Sequence, residues 1–274
     1  MKTMIIQLVI SCLLLSCSNI NREKPVDKSE LSGRDYRLFQ NTPAWELAKA
    51  VQDEDVKKID KIVTENPKII NYQEPKYGNT LLKLTVMNQQ MKSFKALLER
   101  KADVSIHNTF DGTSAIIEAC RLRCYDIKFI EMLVEYGANV NDVETGERRQ
   151  GNSTRFTPLI EASQSGLLDF VKFLISKGAD INYQNEFDQS ALSESIIQKK
   201  YEVSHYLLQN GADYKRPIYY RPDYSIPKEN RDPNDRGKPM YLIDLLKEDV
   251  SDIDTDEYKY KMQILDFLKS KGID

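Results

Sequence analysis

Histidine is nearly absent from this chain. Of 274 residues only His107 and His205 carry an imidazole, and they fall in different segments. Catalytic imidazole pairs and His-built zinc sites need several such ligands to converge, so those classes are set aside. Cysteine is also scarce: Cys12, Cys17, Cys120 and Cys124 are the only four, too few for a disulfide framework. No phosphate-binding glycine loop, GxSxG elbow, HExxH pair or dinucleotide glycine motif occurs, and each of those chemistries depends on its motif. Charge of one sign is missing too. Thirty-nine Lys and Arg face 42 Asp and Glu, for a net charge of −3, which leaves no global basic field for nucleic acid. The longest apolar run, Met4 to Leu15, falls short of the roughly 20 residues that cross a bilayer core as a helix.

What is present is a folded composition, with 41% hydrophobic and 30% charged residues. The first residues stand apart from it. Lys2, the apolar run and the small residues Ser16-Cys17-Ser18 read as a cleaved signal peptide over 1–16. The tetrapeptide Leu14-Leu15-Ser16-Cys17 resembles the lipobox of bacterial lipoproteins. That resemblance implies acylation of Cys17, a lipid anchor, and residence in the bacterial cell envelope. Ser18 after the cysteine implies the outer membrane, facing the periplasm, if the source has one. Cys12, after Val9-Ile10-Ser11, is a poorer second candidate. Residues 17–41 look polar enough for a flexible tether, with an r.m.s. span of about 25–30 Å.

Beyond the tether the chain repeats itself. Gly137-Ala138-Asn139-Val140-Asn141 returns as Gly178-Ala179-Asp180-Ile181-Asn182 and Gly211-Ala212-Asp213, with degraded copies at Lys101-Ala102-Asp103-Val104 and Lys271-Gly272-Ile273-Asp274. Upstream of the first four lies a hydroxyl-led start: Thr80, Ser114, Thr157 and Ser190. A Thr-Pro pair such as Thr157-Pro158 caps and opens a helix. Apolar residues at helical spacing then give a second helix, and glycine ends it in a left-handed conformation. Lys101, in a glycine slot, is expected to cost about 1 kcal/mol. The stretch Thr157 to Asn182 resembles the ankyrin repeat, whose period is 33 residues.

The resemblance implies an all-α ankyrin-repeat solenoid over 42–274, of about six helix pairs. Recognisable repeats cover about 78–106, 111–141, 154–183 and 188–214, with eroded caps at 43–72 and 240–274. Inserted loops at 142–153 and 215–239 break the period. The second holds five prolines, three tyrosines and seven Lys or Arg against four acids.

Ankyrin-family members bind proteins through hairpin tips and the inner face of the first helices. By position that surface carries Tyr77, Asn79, Phe110, Arg121, Phe156 and Phe187. Tyr77, Phe110, Phe156 and Phe187 form an aromatic series that stacking does not require. Arg148, Arg149, Tyr219 and Tyr220 of the insertions are placed as its rim, since Tyr and Arg dominate interface energetics. Cys120 and Cys124 are a possible disulfide, although an i, i+4 pair within a helix has awkward geometry. Asp252, Asp254, Asp256 and Glu257 resemble the start of a calcium loop but lack its glycine and late glutamate. No catalytic residue, metal site or cofactor is assigned. The expected function is a membrane-tethered monomer that binds another protein, as an inhibitor or immunity protein against a toxin or as a scaffold of an envelope complex. A lipid-anchored enzyme or calcium-dependent structural protein is the alternative.

Overall fold

Each hydroxyl-led start opens a helix. In the computed structural model, which describes residues 22–121, 126–146, 155–226, 228–230, 232, 235–250 and 252–273, the helices come in pairs. The N-terminal pair is α1 (Trp45–Gln52) and α2 (Val56–Glu65). Four repeats follow: α3 (Leu81–Met87) with α4 (Met91–Glu99), α5 (Ala115–Ala119) with α6 (Lys128–Glu135), α7 (Pro158–Ser165) with α8 (Leu168–Ser176), and α9 (Ala191–Ile197) with α10 (Tyr201–Gln209). The C-terminal pair is α11 (Leu242–Glu248) and α12 (Asp256–Ser270). First helices stack on first helices, and α12 packs on α10. This is the all-α solenoid that the repeats predict.

Thr80, Thr157 and Ser190 each accept a hydrogen bond from the main-chain N–H three residues on, which satisfies a donor the helix start leaves open. Ser114 departs from the pattern: its hydroxyl donates to Asp142 instead. At the other end of each pair, two main-chain bonds close the turn. Ala138 N–H donates to Leu133 (2.8 Å), Ala179 to Leu174 (3.0 Å) and Ala212 to Leu207 (3.0 Å). Gly137, Gly178 and Gly211 precede those alanines at φ 94°, 88° and 91°.

Lys101 takes the same slot at φ 62°, with the same bonds to Leu98 and Leu97. Lys101→Gly is therefore expected to raise stability by about 1 kcal/mol, the left-handed cost of a side chain. Urea melts of the two proteins at equal slope check this; an unchanged midpoint refutes it.

Asparagines tie successive repeats together. Asn141 donates to the Gly178 carbonyl (3.1 Å) and accepts from Asp180 N–H (2.7 Å), and Asn182 does the same to Gly211 and Asp213 (3.2 and 2.8 Å). In the N-terminal pair, Asn71 accepts from Asp103 N–H (2.9 Å). Between the second helices of the first two of these repeats, Phe94 and Phe129 pack at 4.8 Å between ring centroids.

Two expectations need correction. The segment placed as a flexible tether is docked wherever it is described. Leu31, Tyr36, Leu38 and Phe39 are buried, and short 3-10 turns form at Lys28–Glu30 and Tyr36–Phe39. Four large apolar side chains within nine residues outweigh a polar average, since each buried one contributes about 1.5–3 kcal/mol. The second insertion is likewise not plain loop. Strands β1 (Tyr219–Arg221) and β2 (Lys238–Met240) pair antiparallel, which brings the chain back to the C-terminal pair. Among the described residues, no helix is long and apolar enough to cross a membrane.

Candidate functional site

The surface formed by the first helices and hairpin tips contains a cleft of about 460 Å³, running from residues 33–34 to the third repeat. One wall is the docked N-terminal segment. Its main chain, a 3-10 turn at Lys28–Glu30 followed by a turn at residues 33–34, is read by side chains of the first repeat: Lys76 donates to the carbonyls of Ser29 and Leu31 (2.6 and 2.9 Å), and Tyr77 to Leu31 (3.0 Å). Asn79 donates to Gly33 (3.2 Å) and Asn88 to Arg34 (3.0 Å). The other wall holds Tyr77 and Phe110, in edge-to-face contact at 5.3 Å.

The floor is a charge network centred on Arg121. Its guanidinium contacts Glu144 and Glu161 at 3.1 Å, Glu118 at 3.3 Å and Asp111 at 3.4 Å. Lys83, from α3, donates to the Thr113 carbonyl (3.3 Å) and lies 3.9 Å from Asp111. Burial pushes the Glu161 carboxyl up. Arg121 pulls it back, Glu144 and Glu118 push it further, and it ends at about 7. Burial also lowers the Lys83 ammonium, against the pull of Glu118 and Asp111. Asp111 is held below the usual range: burial opposes this, but Lys83 and the Thr113 hydroxyl prevail. On the next repeat Glu194, raised by burial, accepts from Gln164 and Gln189 at 2.9 Å.

The first insertion builds part of this floor. Thr145 N–H donates to the Gly112 carbonyl (3.0 Å), and Gly112 and Gly146 meet without room for a side chain on either. Glu144 is thereby buried, with one carboxylate oxygen on Arg121 and the other accepting from Phe156 N–H (3.1 Å).

The expected site residues divide. Phe110 and Phe187 are exposed, at 48% and 57%, Tyr77 is half-buried, and Arg121 forms the floor. Phe156 is a correction: it is 5% exposed and belongs to the core. The cause is register. Phe156 stands one residue before its helix start, where Asn79 and Thr113 are also buried, whereas Tyr77, Phe110 and Phe187 stand three or four before theirs. Asn79 is a second correction, because burial commits its side chain to Gly33 and Asn108.

Tyr219 and Tyr220 lie in β1, both half-buried. Tyr219 accepts from Arg221 (3.0 Å), and Tyr220 lies 3.9 Å beneath the Arg236 guanidinium. Arg236 also pairs with Asp188, so this insertion is fastened to the fourth tip beside Phe187. Cys120 is buried. Cys17, Cys124, Arg148 and Arg149 lie outside the described residues. Among the described residues no group of three His, Cys, Asp or Glu is placed to hold a metal ion.

Sequence reasoning missed Lys83, Glu118, Glu144, Glu161 and Glu194. The signal for three of them was present: an acid occupies the fourth position after Ser114, Thr157 and Ser190 alike.

Residues 142–217 match the family model for ankyrin repeats, in three copies. Over 204 residues, 64% of its length, the chain is 25% identical to the ankyrin repeat and KH domain-containing protein mask-1 of Caenorhabditis elegans, of which it covers 7%. It is 34% identical over 91 residues to a putative ankyrin repeat protein of Acanthamoeba polyphaga mimivirus, covering 31% of this chain and 54% of that one. It is 25% identical over 142 residues to the B-cell lymphoma 3 protein homolog of Mus musculus, covering 50% and 30%. The chain thus spans at most about half the length of these relatives. The repeats within residues 142–217 are similar to ankyrin repeats, an architecture that generally mediates binding to another protein.

Proposed function

We propose that the chain is a membrane-tethered protein-binding module of a bacterial cell envelope, a monomer whose partner docks across the cleft and the hairpin tips. The observation that carries the binding surface is the cleft itself. Phe110 and Phe187 stand exposed at tips that stacking does not need, above a polar floor, and exposed aromatic anchors ringed by polar groups are what interfaces use.

The tether reading rests on Leu14-Leu15-Ser16-Cys17. With the chain docked from Arg22 onward, a lipid on Cys17 would leave a reach of at most about 18 Å from Cys17 to Arg22, shorter than a 25-residue tether allows. The body would then stay close to the lipid surface. Between the two biological roles, inhibition of a toxin entering the envelope and scaffolding of a resident complex, the short reach fits either.

The test is affinity purification of the full chain from its own envelope, followed by titration of the partner. Phe110→Ala and Phe187→Ala should each weaken binding by about 1–2 kcal/mol while the melting temperature hardly moves. Cys17→Ala should release the body from membranes. Alanines that leave affinity intact would place the binding surface elsewhere, and a Cys17→Ala protein that stays membrane-bound would remove the tether.

A further inference from the structure

Two departures from the repeat pattern meet at one histidine. Asn71, Asn141 and Asn182 each accept from a main-chain N–H of the next helix pair. The corresponding slot between the first and second repeats holds Ser105, whose hydroxyl donates back to Asp103 (2.6 Å). His107, two residues on, makes the crossing instead, with its Nε2 3.0 Å from a carboxylate oxygen of Asp142. The second departure is Ser114. Its hydroxyl does not cap α5 but donates to the other oxygen of Asp142. Gln73 of the first tip donates to the His107 carbonyl (2.9 Å), which steadies the main chain that carries the ring.

Asp142 is also the residue at which the first insertion begins. Shortly after it, Glu144 reaches Arg121 in the cleft floor and Thr145 closes on Gly112. We propose that His107 and Asp142 form a pH-sensitive latch that fastens this insertion, and with it the Glu144 edge of the cleft, to the second tip. The latch goes beyond the protein-binding reading and stands whatever docks in the cleft. An imidazole changes charge near neutrality, and its bond to a carboxylate is stronger when the ring is charged. The pair is partly buried, with 22% and 17% of the two side chains exposed, so water screens it less than a surface pair. The hydrogen bond to Asp142 holds the ring above its ordinary 6.5; burial opposes this, and the Asp142 charge and the main chains of Val143 and Ser105 support it. The other elements present Gln73 and the Ser114 hydroxyl to the pair, and neither carries charge. A raised folded value fixes the sign. The latch contributes fully below about pH 6.5 and is lost as pH rises through the folded value.

The test is an NMR titration of the two imidazole rings in the full chain from about pH 5 to about pH 9, with His107→Gln to assign the signals. His107 should titrate above the ordinary value, and His205, which burial lowers, below it. Asp142→Asn should bring His107 down and leave His205 in place. Hydrogen exchange at the Glu144 and Thr145 N–H groups, corrected for intrinsic exchange, reads the insertion itself. Between about pH 5.5 and about pH 8, wild-type protection should fall at least about twofold more than that of His107→Gln, whose amide can bond Asp142 but cannot titrate. Glu161 is common to both proteins, so its own titration at about 7 cancels in the comparison. A His107 ring that titrates at or below its ordinary value, or that Asp142→Asn leaves unmoved, overturns the latch. Equal loss of protection in wild type and His107→Gln overturns it as well, and this arm keeps the test open if Asp142→Asn fails to fold.

Discussion

Gly112→Ala should destabilise the protein by about 2–5 kcal/mol, while Gly178→Ala costs only about 1–2 kcal/mol. Both glycines are left-handed, at φ 72° and 88°, so both variants pay the backbone strain of a side chain there. Their surroundings separate them. A Cβ on Gly178 meets nothing within 4 Å, whereas one on Gly112 falls 1.7 Å from Gly146 N and 2.5 Å from Gly146 Cα. Those are main-chain atoms, which no rotamer change moves aside. The insertion from 142 to 146 would have to lift off the second tip, losing the Thr145 to Gly112 bond and drawing Glu144 away from Arg121 and Phe156. Equilibrium urea unfolding measures both costs. If the two variants melt alike, the insertion does not hold its place against the tip, and the cleft floor lacks its fourth carboxylate.

That contact also marks where sequence reasoning ran out. The spacing from hydroxyl start to glycine slot, 21 residues from Thr80, Thr157 and Ser190 and 23 from Ser114, gave the pairs, their layers and even the strained Lys101, because each is dictated locally by capping, periodicity and φ. Ile70-Asn71-Tyr72-Gln73 repeats Ile181-Asn182-Tyr183-Gln184, and Asn71 bonds forward to Asp103 as Asn182 does to Asp213.

The departures from the repeat were not legible, since their positions depend on long-range packing. Residues 22–41 look polar by composition, yet Tyr36 and Phe39 find a hydrophobic surface left open by the first pair. Residues 142–146 look like a tolerated loop, yet Gly112 and Gly146 let two main chains approach. Phe156 is aromatic and near a tip, which suggests an exposed anchor, but its offset from Thr157 is that of Asn79 and Thr113, not that of Phe187. An alignment by offset from the helix start would have separated them. It would also have shown the acid shared by Glu118, Glu161 and Glu194.

Arg121→Ala should cost about 3 kcal/mol at pH 8, and the loss should shrink as the solution is acidified. Removing one partner of a buried charge set costs about 3–5 kcal/mol because it strands the others, and the lower end applies since a third of the Arg121 side chain reaches water. The pH dependence follows from Glu161. Its folded carboxyl titrates at about 7, above the roughly 4.3 of an unfolded glutamate. Between those values the folded state binds more protons than the unfolded one. The contribution of Glu161 is therefore fully present below about pH 4.3 and is lost as pH rises through about 7. Without Arg121 the attraction that holds this value down disappears, the carboxyl rises further, and the falling limb extends beyond pH 7. At pH 5 Glu161 is protonated in both proteins, so the share of the deficit that comes from its charge disappears and the gap narrows. Glu161→Gln supplies the control: it cannot ionise, so it should fall less than wild type between pH 5 and pH 8. Urea unfolding at pH 5, 6.5 and 8 on the three proteins reads all of this. A deficit in Arg121→Ala that stays constant with pH would mean that the charge of Glu161 does not depend on Arg121, and would overturn the coupling between them.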